Sequence, residues 1–332
     1  MNAQTRFDVV AIGNAMVDVL ANMDDEFLAK HNMPKGMMTL IDATAAESIY
    51  HNIAQNGVEC SGGSAANTAV GIAALGGKPA FIGKVADDKL GAVFRKDITD
   101  SGVYFTTPCL ENEKPTARCM VIVSPDAQRT MNTYLGACSK LSRNDIDEDL
   151  IRDAKIVYME GYLWDRPEAK DALTYATELA HKYGRRVSLS LSDPFCVDRH
   201  RDSFFTLIKD GVDILFCNED EIKTLFNTDD PEEAFKKCED LCEIVVVTRG
   251  AQGAVAVCGR ERHEIPAAPI EKVVDTTGAG DLFAAGFLTG LAYEKSIPDC
   301  LQTGALAAAE IISHYGARPE VSLRDLVAQK IG

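Results

Sequence analysis

Val274-Asp275-Thr276-Thr277-Gly278-Ala279-Gly280-Asp281 runs directly into the apolar stretch Leu282-Phe283-Ala284-Ala285-Gly286-Phe287-Leu288. Two glycines flank one small residue and a carboxylate follows, which reads as a glycine-rich turn opening onto a buried helix. The first N–H groups of a helix lack intrahelical acceptors and carry about half a positive charge. Such a turn suits phosphate. Asp281 lies beside that turn, where repulsion from a phosphate penalises a carboxylate that has no task. A carboxylate there can take the proton of an attacking hydroxyl, as phosphoryl transfer to an alcohol requires. Asp275 and Thr277 can turn oxygen ligands toward a cation, or pin the loop by local hydrogen bonds. Glycine-x-glycine before a helix is also an ordinary tight loop, so its surroundings decide the reading.

Spacing excludes the competing glycine motifs. A dinucleotide fingerprint needs a third glycine where Phe283 stands. A Walker A loop needs Gly-Lys-Ser/Thr, but Gly77-Lys78 precedes Pro79 and Gly83-Lys84 precedes Val85. Ser64, in Gly62-Gly63-Ser64-Ala65-Ala66, lacks the last glycine of a nucleophile elbow.

With 332 residues, 46% hydrophobic and 25% charged, the chain has room for one large α/β unit or two smaller ones. Its formal charge of −16 repels nucleic acid and anionic lipid, so neither is an expected partner. A nucleotide would need a local positive site or Mg²⁺. The 10 cysteines show no zinc spacing, and Cys119, Cys196 and Cys217 read as reduced core thiols. The expected compartment is cytoplasmic. Met1 to Arg6 lacks a signal peptide's apolar region, and no run reaches membrane-spanning length.

Along the chain, Phe7 to Gly13 reads as a buried strand ending at Gly13-Asn14, with Asp18 in the loop beyond it. Asp24 to His31 reads as a helix and Met37 to Ile41 as a strand. Ala45 to Asn52 reads as a helix with Thr44 and Glu47 at capping-box spacing. Cys60 to Ser64 is a glycine turn leading into the small-residue helix Ala65 to Leu75, and Ala80 to Val85 is a strand. Ala117 to Val123 and Thr130 to Leu135 form a hairpin around Ser124 to Gln128, part of a small separate sheet. From Ile151, strands (Lys155 to Met159, Arg186 to Leu191, Val212 to Cys217, Ile244 to Thr248) alternate with helices (Pro167 to Lys182, Glu219 to Phe226, Pro231 to Cys242). That alternation predicts a mostly parallel sheet covered by helices on both faces. Gly253 to Cys258 and Arg260 to Ile265 read as an antiparallel pair, and the remainder is helical.

Ligands of open α/β sheets bind beyond the carboxyl ends of strands. Asn14, Gly62-Gly63, Asp193, Asn218 to Glu221, Gly250 and Asp281 all fall there. Asp18 can accept two hydroxyls of a polyol, or be a solvated loop residue. Asn67, one turn into its helix, can donate and accept at once, or face solvent. Asn218 and Glu221 can complete a capping box, or hold Mg²⁺ through water. Thr248-Arg249-Gly250 with Gly253 can meet phosphate, or form a plain strand-to-hairpin turn.

Taken together, these motifs resemble the ribokinase-like carbohydrate and nucleoside kinases, the phosphofructokinase B family. Gly62 to Asn67 with Gly83 to Gly91 looks like its first signature and Asp275 to Asp281 like its second. Asn218 with Glu221 resembles its Asn-x-x-Glu motif, and Thr248-Arg249-Gly250 with Gly253 its Thr-x-Gly-x-x-Gly segment. The match runs nearly the whole chain in the right order. It implies a ribokinase-like α/β fold: a large unit from residues 1–16, 42–103 and 137–332, and a small β-sheet lid from 17–41 and 104–136. It implies ATP and Mg²⁺, with a monovalent cation such as K⁺ often bound near Asp275 and Thr277. By motif position Asp281 is the base, and Gly278, Ala279 and Gly280 line the anion hole. Asp18, Gly62, Gly63 and Asn67, with Asn14, hold the acceptor. Asn218, Glu221, Thr248, Arg249, Gly250 and Gly253 face the nucleotide, with Glu221 toward Mg²⁺ through water.

The expected acceptor is adenosine or a related nucleoside, with a free sugar (ribokinase or fructokinase type) as the alternative. A nucleotide-binding sensor on the same scaffold is the non-enzyme alternative. The acidic stretch Asp18 to Met33, with only Lys30 firmly basic, disfavours a phosphorylated acceptor. Phe105, Tyr134, Tyr162 and Trp164 are candidate walls for a base. A lid sheet with an open face can pair between subunits, so a homodimer is expected.

Overall fold

The computed structural model describes residues 5–55, 57–126 and 128–331. Met1–Gln4, part of the segment read for a signal peptide, and Ala127, inside the expected turn, lie outside the described residues. Among the described residues the strands are β1 (Phe7–Ile12), β2 (Met16–Asn22), β3 (Met38–Leu40), β4 (Val58–Gly62), β5 (Pro79–Ile82), β6 (Tyr104–Phe105), β7 (Ala117–Val123), β8 (Arg129–Tyr134), β9 (Ala154–Glu160), β10 (Arg186–Ser190), β11 (Ile214–Asn218), β12 (Ile244–Thr248), β13 (Ala254–Cys258) and β14 (Glu261–Ile265). Two sheets result: a nine-stranded one in the order β14-β13-β12-β11-β10-β9-β1-β5-β6 and a five-stranded one in the order β3-β8-β7-β2-β4.

The large sheet is parallel from β12 to β6, and antiparallel only at β13 and β14. β1 is buried along its whole length and, apart from Asp8, which pairs with Lys155 at 2.7 Å, is apolar because helices cover both faces. One face carries Ser64–Ala74, Ala279–Ala292 and Ile297–Ile311. The other carries Pro167–Lys182, Pro194–Gly211 and Glu219–Phe226. The strand order reverses at β1, which has β9 on one side and β5 on the other. A crevice opens at such a reversal, outside the carboxyl ends of the strands. Asn14 follows β1 and Glu160 ends β9, so both stand at that point.

In the small sheet β2 runs antiparallel to β4 and parallel to β7, β7 antiparallel to β8, and β8 parallel to β3. β2 and β4 were not expected as strands. Asp18 therefore sits on a strand, not in a loop. Residues 58–62, expected in the large unit, pair in the small sheet, whereas Tyr104–Phe105, expected in the lid, pairs with β5 in the large one. The sequence Val58-Glu59-Cys60-Ser61-Gly62 has no apolar alternation to reveal it, because an edge strand buries little of itself.

Three helices were also missed, the shortest being Glu148–Arg152. Lys89–Asp100 starts at Asp88, whose side chain accepts from Gly91 N. Pro194–Gly211 starts at Asp193, whose side chain accepts from Cys196 N, and it kinks at His200. That kink lies in the charged run Asp198 to Asp202, which hides the helical period. The helix Ala43–Ile53 is capped by Asp42, 2.8 Å from Ala45 N, and not by Thr44. Trp164 is core: it stacks on Phe204 and donates to Ser203 Oγ at 2.8 Å. Phe105 packs among Phe81 and Phe94. All ten cysteines are free. No helix among the described residues is long and apolar enough to cross a membrane.

The helix that carries Asp281 is seated by close backbone contact. A Cβ on Gly286 would lie 2.6 Å from Gly304 Cα and from Gly304 N, and 2.7 Å from Thr303 C. Backbone cannot step aside as a flexible side chain can. Gly286→Ala is expected to lower unfolding free energy by about 1–3 kcal/mol, seen as a lower urea midpoint at unchanged slope; an unaltered midpoint would show that the two helices are free to separate.

Candidate active site

A cleft of about 1420 Å³ lies between the carboxyl ends of the large sheet and one face of the small sheet. At its floor, the helix Ala279–Ala292 begins after Gly278, whose φ of 79° is left-handed. The N–H groups of Gly280 and Asp281 have no acceptor among the described residues, whereas Ala279 N is spent on Thr276 O at 3.2 Å. Gly278, Ala279 and Gly280 all line the cleft, and the donors left open there are those of Gly278, Gly280 and Asp281. Such a helix start is a fit for a phosphate oxygen.

Asp281 lines the same cleft. Ser64 Oγ donates to its Oδ1 at 2.6 Å and Asn67 Nδ2 to its Oδ2 at 3.0 Å. Burial raises its pKa above the usual carboxylate value, against the two hydrogen bonds and the field of Arg318. Asn67 is thus engaged with Asp281 and, through Oδ1, with Arg318 Nη1 at 2.8 Å. It is not among the residues lining the cleft, which corrects its expected place against the acceptor. Its single amide is already shared between those two neighbours.

Asp18 lines the cleft with a carboxylate that receives no hydrogen bond from the described residues, so it is open to a ligand. Burial pushes its pKa up to about 6, against the attraction of Arg318 and Arg129. The paired glycines follow from close approach. A Cβ on Gly62 would lie 2.4 Å from Asp18 Cγ, and one on Gly63 would lie 2.1 Å from Asn14 O. Gly62 makes room for Asp18 from behind; Gly63, with φ of 103°, turns the chain into the helix Ser64–Ala74.

Sequence reasoning missed Glu160. This buried carboxylate accepts from Asn14 N at 3.0 Å, from Asn14 Nδ2, and from Ala65 N at 2.9 Å. Burial lifts its pKa to about 7. A charged residue ending an apolar strand immediately before Gly161 was the available signal. Asn14 lines the cleft with its amide N–H already committed to Glu160, leaving Oδ1 for a ligand.

Two arginines were also missed. Arg129, on β8, places Nη1 2.7 Å from Asp275 Oδ2 and 3.0 Å from Thr277 Oγ1. Asp275 further accepts from Thr277 N at 3.1 Å and Gly316 N at 2.9 Å. The side-chain oxygens expected to face a monovalent cation therefore face a guanidinium, and they do not fit that role. Arg318 reaches in from the segment after Ile297–Ile311. Both lie outside the acidic stretch Asp18 to Met33 on which a phosphorylated acceptor was disfavoured, and they put positive charge in the cleft. No local sequence signal marked them, since each comes from far along the chain.

Asn218 and Glu221 form a complete capping box and line the cleft. Glu221 is buried, and its pKa rises to about 7 from that burial, despite the hydrogen bond from Asn218 N. Among the described residues no three His, Cys, Asp or Glu side chains are grouped to cage a metal. That donor set suits an ion that keeps its waters, as Mg²⁺ does. Thr248 lines the cleft, but Arg249, Gly250 and Gly253 do not. Arg249 pairs with Glu264 at 3.1 Å, and a Cβ on Gly253 would meet Ile265 O at 2.0 Å, so that segment is a strand-to-hairpin turn. Of the expected base walls, only Tyr162 lines the cleft.

The register of the small sheet orders the cleft's other wall. Across it, Cys60, Asp18, Cys119, Thr133 and Leu40 form one row. Two residues farther from the floor, Val58, Leu20, Val121, Met131 and Met38 form the next, wholly apolar row. All ten line the cleft. Successive same-face rows stand about 6.6 Å apart.

Residues 30–323 match the family described as pfkB family carbohydrate kinase. A solved structure titled as a probable sugar kinase from Rhizobium etli is 48% identical, with 98% of each chain covered and a TM-score of 0.91. One titled as an adenosine kinase from Sinorhizobium meliloti is 47% identical, covering 98% of this chain and 99% of that one, with a TM-score of 0.90. A curated 5-dehydro-2-deoxygluconokinase from Geobacillus kaustophilus is 30% identical over 76% of this chain and 79% of its own length. With residues 30–323 matched and a ribokinase-like fold built around one cleft, the chain belongs to the pfkB family of carbohydrate kinases.

Proposed function

We propose that this kinase transfers the terminal phosphoryl group of ATP to a hydroxyl of a nucleoside of the adenosine kind, with Asp281 as general base. One observation carries the chemistry: a carboxylate steadied on both oxygens stands in the cleft beside two open N–H groups at a helix start. The acceptor hydroxyl gives its proton to Asp281 while its oxygen bonds to the terminal phosphorus. The bond from that phosphorus to the bridging oxygen breaks, and the nucleoside diphosphate leaves with the electron pair. Gly280 and Asp281 N–H groups meet the charge that develops on the phosphoryl oxygens. Thr248 and Arg129 face the nucleotide's phosphates. Members of the family use ATP and typically Mg²⁺, which supplies neutralisation of phosphate charge when bound. Asn218 and Glu221 would hold that ion through water.

The acceptor class rests on the small sheet. Asp18 suits a pair of hydroxyls, and an apolar row follows about 6.6 Å beyond it. A free sugar, polar all round, has no use for that row; a ribose bearing a flat base uses both. A second reading, a sugar acid, draws on Arg129, whose buried Nε and Nη2 have no hydrogen-bond partner. ATP consumption over adenosine, other nucleosides, ribose, fructose and 5-dehydro-2-deoxygluconate separates these readings. Adenosine is expected to give the highest kcat/KM, at least about tenfold above any free sugar; a sugar or sugar acid in first place would overturn the nucleoside assignment.

Asp281→Asn is expected to leave ATP binding nearly intact by calorimetry and to cut turnover at least about a hundredfold. Near-normal turnover would remove Asp281 from its role. For Asp18, protonation removes the acceptor of the ligand's hydroxyl bonds, and its raised pKa places that loss near pH 6. Acceptor kcat/KM should therefore fall as pH drops through about 6, and the Asp18→Asn variant should lose that step while remaining uniformly poor. Persistence of the same step in the variant would assign it to another group.

A further inference from the structure

The basic side chain nearest the proposed base comes from a segment that no family signature marks. Arg318 Nη2 donates to both oxygens of Ser61, the hydroxyl at 2.7 Å and the carbonyl. Ser61 is itself fixed, since its N–H and O–H donate to Asp97 Oδ2 at 2.7 and 2.6 Å. Its hydroxyl proton is thus committed, and it can only accept from the arginine. Arg318 Nη1 donates to Asn67 Oδ1 at 2.8 Å, and Asn67 Nδ2 donates to Asp281 Oδ2 at 3.0 Å.

We propose that Arg318 is a positioning residue for Asp281, acting through the amide of Asn67. This inference rests on the reading of Asp281 as general base. An amide can be turned end for end, and here one direction is excluded twice over. Reversed, Asn67 would set its NH₂ against a guanidinium and its oxygen against a carboxylate. With Arg318 in place, Asn67 can offer Asp281 only a donor. That donor and Ser64 Oγ each fix one carboxylate oxygen and leave the remaining lone pairs to the acceptor's proton. A planar fork reaching two partners is a task for arginine that lysine cannot duplicate.

Charge is the second effect. The titratable groups facing Asp281 are Asp18 on β2, Tyr158 and Glu160 on β9, Tyr162 beyond it, and Arg318. Cys60 and Asp97 face Arg318 from its other side. Arg318 is the cation in the group around Asp281, so removing it leaves Asp281 among acids and neutral phenols. Its pKa then rises, and the base is protonated over more of the working range.

The test is steady-state turnover against pH for the wild type, Arg318→Ala and Arg318→Lys, with Asp281→Asn and the double variant alongside. Arg318→Ala is expected to lower kcat about 10- to 100-fold with little change in KM for ATP. The acid limb of its kcat profile should move to higher pH, and millimolar guanidinium should restore part of the rate. Arg318→Lys should keep the limb near its wild-type place, because the charge stays, but run at a lower plateau, because the fork is gone. Adding Arg318→Ala to Asp281→Asn should cost nothing further if the two act as one unit. A wild-type acid limb in Arg318→Ala, or an additive loss in the double variant, would overturn the proposal. If Asp281→Asn alone turns over normally, the reading of the base has failed instead, so the two failures are distinct. Should Arg318→Ala prove unfolded in a melting scan, the plateau of Arg318→Lys decides: unchanged kcat rejects the positioning role.

Discussion

A buried carboxylate at the strand reversal joins the parts on which the cleft depends. Glu160, at the end of β9, takes the N–H of Asn14 after β1 and that of Ala65 at the start of Ser64–Ala74. Both of those N–H groups lie at element ends, where the backbone has no regular partner. Glu160 satisfies them together and so fixes the distance between strand and helix. The same helix start carries Ser64, and one turn on Asn67, the two side chains that hold Asp281. The helix N-terminus also favours a negative charge, which offsets part of the burial cost of Glu160. Its pKa of about 7 shows that the offset is incomplete.

The cleft has an electrostatic logic that the chain's overall charge conceals. A formal charge of −16 repels ATP at long range, yet binding needs attraction only at the floor. There the open N–H groups, Arg129 and Arg318 gather. Each arginine is also tied to a carboxylate or to an amide beside one, so neither is a loose surface cation. Arg129 couples β8 of the small sheet to the loop that precedes the turn at Gly278. Arg318 couples β4, through Ser61, to the helix Ser64–Ala74, whose Ser64 and Asn67 hold Asp281. The two sheets are thus joined by the same ion pairs and hydrogen bonds that set the charge of the cleft. Movement of the small sheet and the electrostatics at the floor cannot change independently.

The legible part of this protein was the part written locally. Gly278 to Asp281 before an apolar helix, Gly62-Gly63 before a helix of small residues, and the alternation after Ile151 each record a constraint within a few residues. The first two appear in the fold as expected, and the third with one helix more, Pro194–Gly211. What was not legible depends on contacts across the chain. Asp18 looked like a loop residue because β2 and β4 are strands only by virtue of pairing with each other and with β7. Asn67 could be read as facing a ligand because its two partners, Asp281 and Arg318, lie more than two hundred residues away. Arg249, Gly250 and Gly253 match a family segment in spacing, but their geometry is accounted for by a turn and an ion pair with Glu264.

The proposed acceptor rests on the pleat of the small sheet. On one face of a strand, side chains recur every second residue, so the polar row of Asp18 and the apolar row of Leu20 cannot exchange places without inverting the strand. A molecule bound there meets a hydroxyl acceptor first and a greasy surface about 6.6 Å farther from the floor. If its reacting hydroxyl lies at Asp281 and its diol at Asp18, then whatever it carries next must be apolar enough to leave water for Leu20, Val58 and Val121. Burying that row removes apolar area from solvent at about 25 cal/mol per Å², a gain available only to acceptors with a flat or apolar appendage. Sugars small enough to end at Asp18 leave the row wet and gain nothing from it. Selection of a nucleoside over its parent sugar would in this way be exerted by the apolar row of the small sheet, not by any contact at the reacting hydroxyl.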